Sequence, residues 1–209
     1  MKRSLYTKLL ACYAAIGIFC FFLVTAGGSF LIERHLETST SKKLYRVAST
    51  IADNEVIKHN ISSANLDSIR EALASMAGYQ DSLIWILNNK GEVVVSTRKE
   101  ISPDTPINIK KFDPATSKGT YYFTGDFFGY FHEDYLSVIA PITADMTTKG
   151  YVCIHYLMSY IYQTRASFLT ILQVLSLIIY LSMFFLLLLY HRMVQKPLGQ
   201  ISRGASEYA

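Results

Sequence analysis

The sequence predicts an α+β membrane protein in which two transmembrane helices flank a folded domain with a five-stranded antiparallel sheet and a long N-terminal helix. Apolar residues make up 51% of the 209 residues and charged residues only 17%. The apolar excess is concentrated in two uncharged runs, residues 9–32 and 168–190, which is typical of membrane spans. Between them, residues 33–165 show helical periodicity first and then β-rich segments separated by turn residues.

The first apolar run, residues 9–32, is predicted to be an uncleaved transmembrane helix. At 1.5 Å per residue it reaches roughly 36 Å, enough to cross a bilayer core of about 30 Å. The alternative is a cleavable signal peptide, but the core of such a peptide spans only about 7–15 residues. The letters "LLAC" at residues 9–12 are similar to a lipoprotein cleavage box. No apolar stretch precedes them to serve as the core of that signal.

The second apolar run, residues 168–190, has no polar face and is therefore predicted to span the membrane rather than to lie in a protein core. Lysine and arginine residues lie in the short segments outside both runs, and short positive flanks stay in the cytoplasm. We therefore expect residues 1–8 to be a cytoplasmic tail, residues 33–165 to be extracytoplasmic and residues 191–209 to be cytoplasmic.

The extracytoplasmic region is predicted to begin with two helices. Apolar residues recur at helical intervals after the first span, at Leu36, Leu44, Val47, Ile51 and Val56. The first span is therefore expected to continue outward as a long amphipathic helix. A second helix is expected in "NLDSIREALASMAG", where Asn65 or Asp67 can cap the start and Gly78 ends the helix.

Five strands are predicted in the rest of this region. The segment "DSLIWILNNKGEVVVST" is typical of a hairpin that turns at Asn89-Lys90-Gly91. Three more strands are expected in "GTYYFTGDFFGYFHE", "DYLSVIAPI" and "GYVCIHYLM", each bounded by turn residues. A last helix, "SYIYQTRASF", leads into the second span. Strands with helices to one side predict an antiparallel sheet.

The order of these elements resembles the extracytoplasmic PAS-like domains of the Cache type. The resemblance is carried by the membrane-continuous helix, the second helix, the hairpin "ILNNKGEVVVST" and the closing pair "LSVIAPIT" and "KGYVCIHYLMS". Such domains sit between the two spans of many bacterial sensor histidine kinases and chemoreceptors. In that family the ligand lies on the inner sheet face under loops. The resemblance therefore implies a small-molecule pocket in the aromatic-rich residues 121–135, formed by Tyr121, Phe123, Tyr130 and His132. The alternative is a plain aromatic core.

The C-terminal segment resembles the first helix of a HAMP linker, which in that family is a dimeric parallel four-helix bundle. Its apolar residues follow heptad spacing, at Val194, Leu198, Ile201, Ala205 and Tyr208. Pro197 suits the first turn of a new helix. The resemblance implies a homodimer in which Pro197, Leu198, Ile201 and Ala205 transmit the signal. The alternative is an amphipathic helix lying on the membrane surface.

These features together predict the sensor portion of a histidine kinase of a two-component phosphorelay, which passes an extracellular stimulus to an output domain beyond residue 209. The stimulus would be an unknown small molecule or a physical signal. Alternatives are a chemoreceptor, a cyclase-coupled receptor or a stand-alone membrane-anchored binding protein. ATP, magnesium and a response regulator are implied only if a kinase domain follows. The net charge of +4 is scattered and does not indicate nucleic-acid binding.

The chain itself contains no recognisable catalytic motif and no expected cofactor. The consecutive residues His132, Glu133 and Asp134 could suggest a metal site. On a strand, however, they would point to alternating faces and could not chelate together. We therefore expect no metal site. A pH-sensing role for His132 or His155 is a separate hypothesis.

Overall fold

The protein is described by a computed structural model that covers residues 5–60, 67–79, 81–97, 107–110, 112–114, 121–195 and 197. The chain divides into two compact units. One unit consists of residues 1–33 and 164–209, and the other of residues 34–163. The first unit contains the two apolar runs, and we call the second unit the sheet domain.

Two long helices supply the apolar segments, as the sequence predicts. Helix α1 extends over Leu5–Ala52 and helix α4 over Met158–Tyr190. Both are long and apolar enough to cross a membrane. In the first unit they pack where small and polar residues allow close approach: the Tyr13 hydroxyl donates a hydrogen bond to the carbonyl of Tyr180. Gly17 leaves room for that ring, because an added Cβ would lie 3.2 Å from Tyr180 Cε1.

Polar side chains also connect these two helices in the first unit. Gln173 Nε2 donates to Thr25 Oγ1 at 3.4 Å, and the guanidinium of Arg165 pairs with the carboxylate of Glu33. Both partners of the ion pair are about one-third exposed, so water screens part of their attraction. Polar contacts therefore add specificity to a pairing that is otherwise apolar.

Two shorter helices follow α1 in the sheet domain, α2 over Glu55–Asn60 and α3 over Asp67–Tyr79. The sequence predicted a single helix that continues through Val56. This prediction is wrong, because α1 ends at Ala52. The Asn54 side chain accepts a hydrogen bond from the backbone N–H of Val56 at 2.9 Å, which caps the start of α2. The second predicted helix is confirmed as α3.

The five strands form one antiparallel sheet in the order β2-β1-β5-β4-β3. Their bounds are β1 Ser82–Asn88, β2 Val93–Ser96, β3 Tyr122–Gly125, β4 Tyr135–Ala144 and β5 Thr147–Leu157. The predicted hairpin joins β1 to β2, and Gly91 has φ +79° there. A Cβ at this position would lie 2.8 Å from Phe112 Cβ. Only glycine therefore fits both the backbone conformation and the space.

The aromatic-rich segment is a strand over only part of the predicted length. Strand β3 ends at Gly125, and the chain then turns, with φ +46° at Phe127 and +57° at Phe128. The turn places Phe127 against the sheet as a fully buried side chain. The expectation of a strand in residues 119–133 is therefore wrong beyond residue 125.

The sheet is covered on both faces, and alternation along each strand decides which side chain points to which face. On one face, the helix face, the core contains aliphatic residues that pack against α1, α2 and α3, among them Ile84, Ile86, Val138 and Ile154. On the other, the aromatic face, the core contains Trp85, Leu87, Ile109, Phe127, Phe131 and Cys153. Neighbouring residues such as Cys153 and Ile154 therefore belong to different cores.

Strand β5 passes directly into helix α4, because Leu157 ends the strand and Met158 begins the helix. After Tyr190 the helix widens into a π-helical turn over His191–Gln195. Pro197, which lacks a backbone N–H, comes after that turn and is exposed. The other predicted transmission residues, Leu198, Ile201 and Ala205, lie outside the described residues.

Candidate functional site

A buried histidine lies in the aromatic face of the sheet. His155 on β5 is fully buried, and its Nδ1 lies 2.8 Å from Ser137 Oγ on the adjacent strand β4. The two residues face each other because they are register partners in the β4–β5 ladder. Either Ser137 donates to Nδ1 or Nδ1–H donates to Ser137, depending on the tautomer of the neutral ring. This pair therefore fixes the orientation of the imidazole.

Aromatic rings surround this imidazole. Ring centroids of Phe127, Trp85 and Phe131 lie 4.3, 4.8 and 5.1 Å from that of His155. Removal from water disfavours the charged imidazolium, and burial lowers the pKa of His155 from 6.5 to about 3. His155 is consequently neutral at physiological pH, and it can accept or donate a hydrogen bond without carrying a charge.

Two buried nitrogens in this region have no hydrogen-bond partner among the described residues, His155 Nε2 and Trp85 Nε1. Ser82 Oγ at the start of β1 is also buried without one. Buried polar atoms in folded proteins are usually paired, so each such atom calls for an explanation. A ligand or an ordered water that reaches His155 would supply the missing partner.

A cavity of about 480 Å³ lies at the end of the sheet where β5 passes into α4. We call it the sheet-end cavity. Its wall includes His155 and Tyr135 from the sheet, Tyr160 from the first turns of α4, and the acidic residues Asp81 and Glu133. The small residues Ala74, Ala77 and Gly78 of α3 line another side. Its volume lies in the range of small-molecule sites.

The structure separates the four predicted pocket residues. Phe123 stacks on Phe127 at 5.5 Å within the aromatic face. Tyr130 lies at the edge of this cluster, 5.0 Å from the ring of Trp85. Tyr121 contacts Tyr45 of α1, with ring centroids 5.0 Å apart. Phe123 and Tyr130 therefore belong to the aromatic face, whereas Tyr121 packs against α1.

The fourth predicted residue, His132, is exposed and lines another cavity of about 380 Å³, together with Glu133, Asp134 and the start of α4. These residues lie in a bend between β3 and β4, so the expectation that they alternate along a strand is wrong. Among the described residues, no group of three His, Cys, Asp or Glu side chains could hold a metal ion.

Sequence reasoning named His155 only as a possible pH sensor and missed its place in the sheet-end cavity. The alternation of "YVCIHYL" does place His155 on the same face as Cys153. A polar residue at a core position of a strand was the available signal. Asp81 gave no such signal, because a lone Asp before a strand is most often a turn residue.

No protein-family profile matches the chain, and no curated protein matches it. Solved structures do show similarity. One is the sensory domain of the Campylobacter jejuni chemoreceptor Tlp3 with isoleucine bound, at 13% identity and TM-score 0.48, covering 71% of this chain and 65% of that one. Another is the sensor domain of the V. cholerae histidine kinase DctB, at 14% identity and TM-score 0.49, covering 68% and 58%.

A third similar structure is a domain of a putative sensory box/GGDEF family protein from Vibrio parahaemolyticus, at 11% identity and TM-score 0.49, covering 67% of this chain and 62% of that one. The chain thus spans less than two thirds of the length of each of these solved chains. At these levels of identity and superposition, the neighbours assign neither a ligand nor an output domain to this chain.

Proposed function

We propose that the chain is the sensory part of a two-span membrane receptor, with the sheet domain outside the cytoplasm. The observation that carries this proposal is the direct passage of β5 into α4, with Leu157 and Met158 as adjacent residues. The same helix then continues as an apolar segment long enough to cross a membrane. A change in the central strand therefore reaches the second span without a flexible linker.

The proposed mechanism is thermodynamic linkage between binding of a stimulus and the position of α4. A stimulus can change the position of α4 only by binding one arrangement of the sheet domain more tightly than another. Coupling of this kind is worth about 1–3 kcal/mol in most allosteric proteins. Strand β5 is hydrogen-bonded on both sides, to β1 and to β4. A rearrangement of either neighbouring strand is therefore transmitted to the strand that leads into the helix.

We further propose that the receptor is a homodimeric sensor histidine kinase whose HAMP linker begins after the second span. The heptad spacing of residues 194–208 supports this. Pro197 after a π-helical turn is compatible with a bend between the span and a new helix. Both chain ends would then lie in the cytoplasm, as the positive flanks indicate. The kinase domain would lie beyond residue 209.

Cysteine labelling of intact cells tests the membrane arrangement. In a chain without its native cysteines, a single cysteine replaces either Lys110 or Arg192, both of which are exposed. A membrane-impermeant maleimide should label the cysteine at position 110 in intact cells and the one at 192 only after permeabilisation. The reverse pattern would overturn the proposal, as would equal labelling at both positions in intact cells.

Insertions at the strand–helix junction test the coupling. Residues 1–209 are fused to a reporter kinase, and one to four alanines are inserted between Leu157 and Met158. Reporter phosphorylation should change with the number inserted, because each added helical residue rotates the downstream part of α4 by about 100°. The same insertions between Asp145 and Met146, in the exposed β4–β5 turn, should leave the output unchanged. Equal output from all junction insertions would contradict direct coupling.

A further inference from the structure

The sheet-end cavity has a charge pattern that favours a cation. Its described lining residues include the acidic residues Asp81 and Glu133 and no lysine or arginine. Both residues are exposed, so their carboxylates lie at the rim of the cavity rather than inside the core. Two negative charges on one concave surface raise the local concentration of small cations.

Aromatic rings add a second feature. Tyr135 and Tyr160 line the same cavity, and the ring of Tyr156 lies 5.6 Å from that of Tyr160. Burial and the nearby charge of Asp81 raise the pKa of Tyr156. Cations bind favourably over the faces of tyrosine rings. Carboxylate and tyrosine together form the kind of wall that holds an ammonium group.

The third feature is independent of charge. His155 is fully buried and is part of the cavity wall, and its Nε2 has no hydrogen-bond partner among the described residues. If Nδ1–H donates to Ser137, the neutral ring presents Nε2 as an acceptor. In this tautomer the imidazole favours a neighbour that donates a hydrogen bond over one that carries a carboxylate.

We propose that the sheet-end cavity binds a small organic ammonium ion. The ammonium group lies between the carboxylates of Asp81 and Glu133, and the organic part packs against Tyr135, Tyr160 and the small residues of α3. A cavity of about 480 Å³ accommodates a ligand of this size. Because Tyr160 is on α4, an occupied cavity contacts the helix that continues from β5.

The test measures binding to the 209-residue chain in lipid nanodiscs by saturation-transfer NMR. The probes are n-pentylammonium, n-pentanol and pentanoate, which share a chain length and differ in charge. We expect n-pentylammonium to bind at least tenfold more tightly than either of the other two. Equal affinity for the ammonium ion and the alcohol would overturn the proposal, as would tighter binding of pentanoate or no binding of any probe.

Substitutions of the two acidic residues test whether n-pentylammonium binds in the sheet-end cavity. Asp81→Asn should weaken n-pentylammonium binding at least fivefold, and Glu133→Gln should do the same. Asp145→Asn is the matched control, because Asp81 and Asp145 are both exposed and have similar positive φ values, 48° and 52°. Asp145 lies in the β4–β5 turn and is not among the cavity's lining residues. Equal weakening by Asp81→Asn and Asp145→Asn would show a general charge effect and refute the site.

This inference can fail separately from the proposed function. Ammonium binding is read from the chain alone, without a reporter kinase or a known stimulus. Junction insertions that alter the reporter output, combined with absent ammonium binding, would leave the receptor proposal standing and remove only the cation site. Ammonium binding combined with cytoplasmic labelling at position 110 would support the cation site and overturn the receptor proposal.

Discussion

Lowering the pH from 6.5 to 4.5 should destabilise the sheet domain, and a single residue accounts for a definable part of the effect. His155 is fully buried, and its folded-state pKa is lowered from 6.5 to about 3. Between these two values the unfolded chain binds a proton at this residue and the folded chain does not. Stability supplied by the neutral imidazole is therefore present above pH 6.5 and lost as the pH falls below it.

The magnitude depends on the width of this window. Each pH unit within it changes the free energy of unfolding by about 1.4 kcal/mol for one proton. A fall of two pH units should therefore cost about 3 kcal/mol from His155 alone. A typical domain has about 5–15 kcal/mol of stability in total, so the effect is large enough to measure.

The assay uses the only tryptophan of the chain. Trp85 is fully buried and lies beside the imidazole, so its fluorescence reports unfolding of the sheet domain. Urea unfolding of the chain in detergent micelles is monitored between pH 7 and 4.5 for the natural sequence and for His155→Gln. Carboxylates titrate in both proteins, so the difference between their pH slopes isolates His155.

We expect the natural protein to lose about 3 kcal/mol more than His155→Gln over this range. Parallel pH profiles for the natural protein and His155→Gln would show that the imidazole titrates normally when folded, and would refute the effect of burial on its pKa.

Three further sets of substitutions test other parts of the structure. Gly91→Ala should cost about 2–4 kcal/mol in urea unfolding, through backbone strain and overlap with a neighbouring side chain; Gly78→Ala, at a helical position with open space around the added Cβ, should instead be neutral or stabilise by up to about 1 kcal/mol. Ser137→Ala should cost about 1–3 kcal/mol, because it leaves the buried imidazole without its partner, and an unchanged urea midpoint would argue against that hydrogen bond. Reversing the charge of either Glu33 or Arg165 should lower the melting temperature of the chain in micelles, and exchanging the two residues should restore most of the loss; a double variant no better than the single ones would contradict the pairing.

The sequence predicted the architecture well because the helices, strands and turns are indicated by patterns within single short stretches of the chain. Uncharged runs identify the apolar helices from composition alone. The turn at Gly91 and the turn residues that bound the later β-rich segments predicted a five-stranded antiparallel sheet. The break at Asn54 was missed, although Val56 follows Ile51 by five residues and so departs from the spacing of three or four that precedes it. A capping side chain decided where the helix ended.

The candidate site was harder to predict because it depends on contacts between distant segments. Residues 126–131 have a composition that favours strands, yet positive φ at Phe127 and Phe128 turns the chain back onto the sheet. The sheet-end cavity joins Asp81, Glu133 and Tyr160, which no local pattern relates to one another. Only the register of β1, β5 and β4 brings the ends of these strands to one place.

The absence of any connecting residue between β5 and α4 has a simple geometrical consequence. A strand advances about 3.3 Å per residue and a helix about 1.5 Å. If the boundary moved by one position, so that Leu157 joined the helix, the path along the chain would shorten by roughly 1.8 Å. A change in the conformation of Leu157, which lines the sheet-end cavity, would thereby displace the rest of α4 by about that distance.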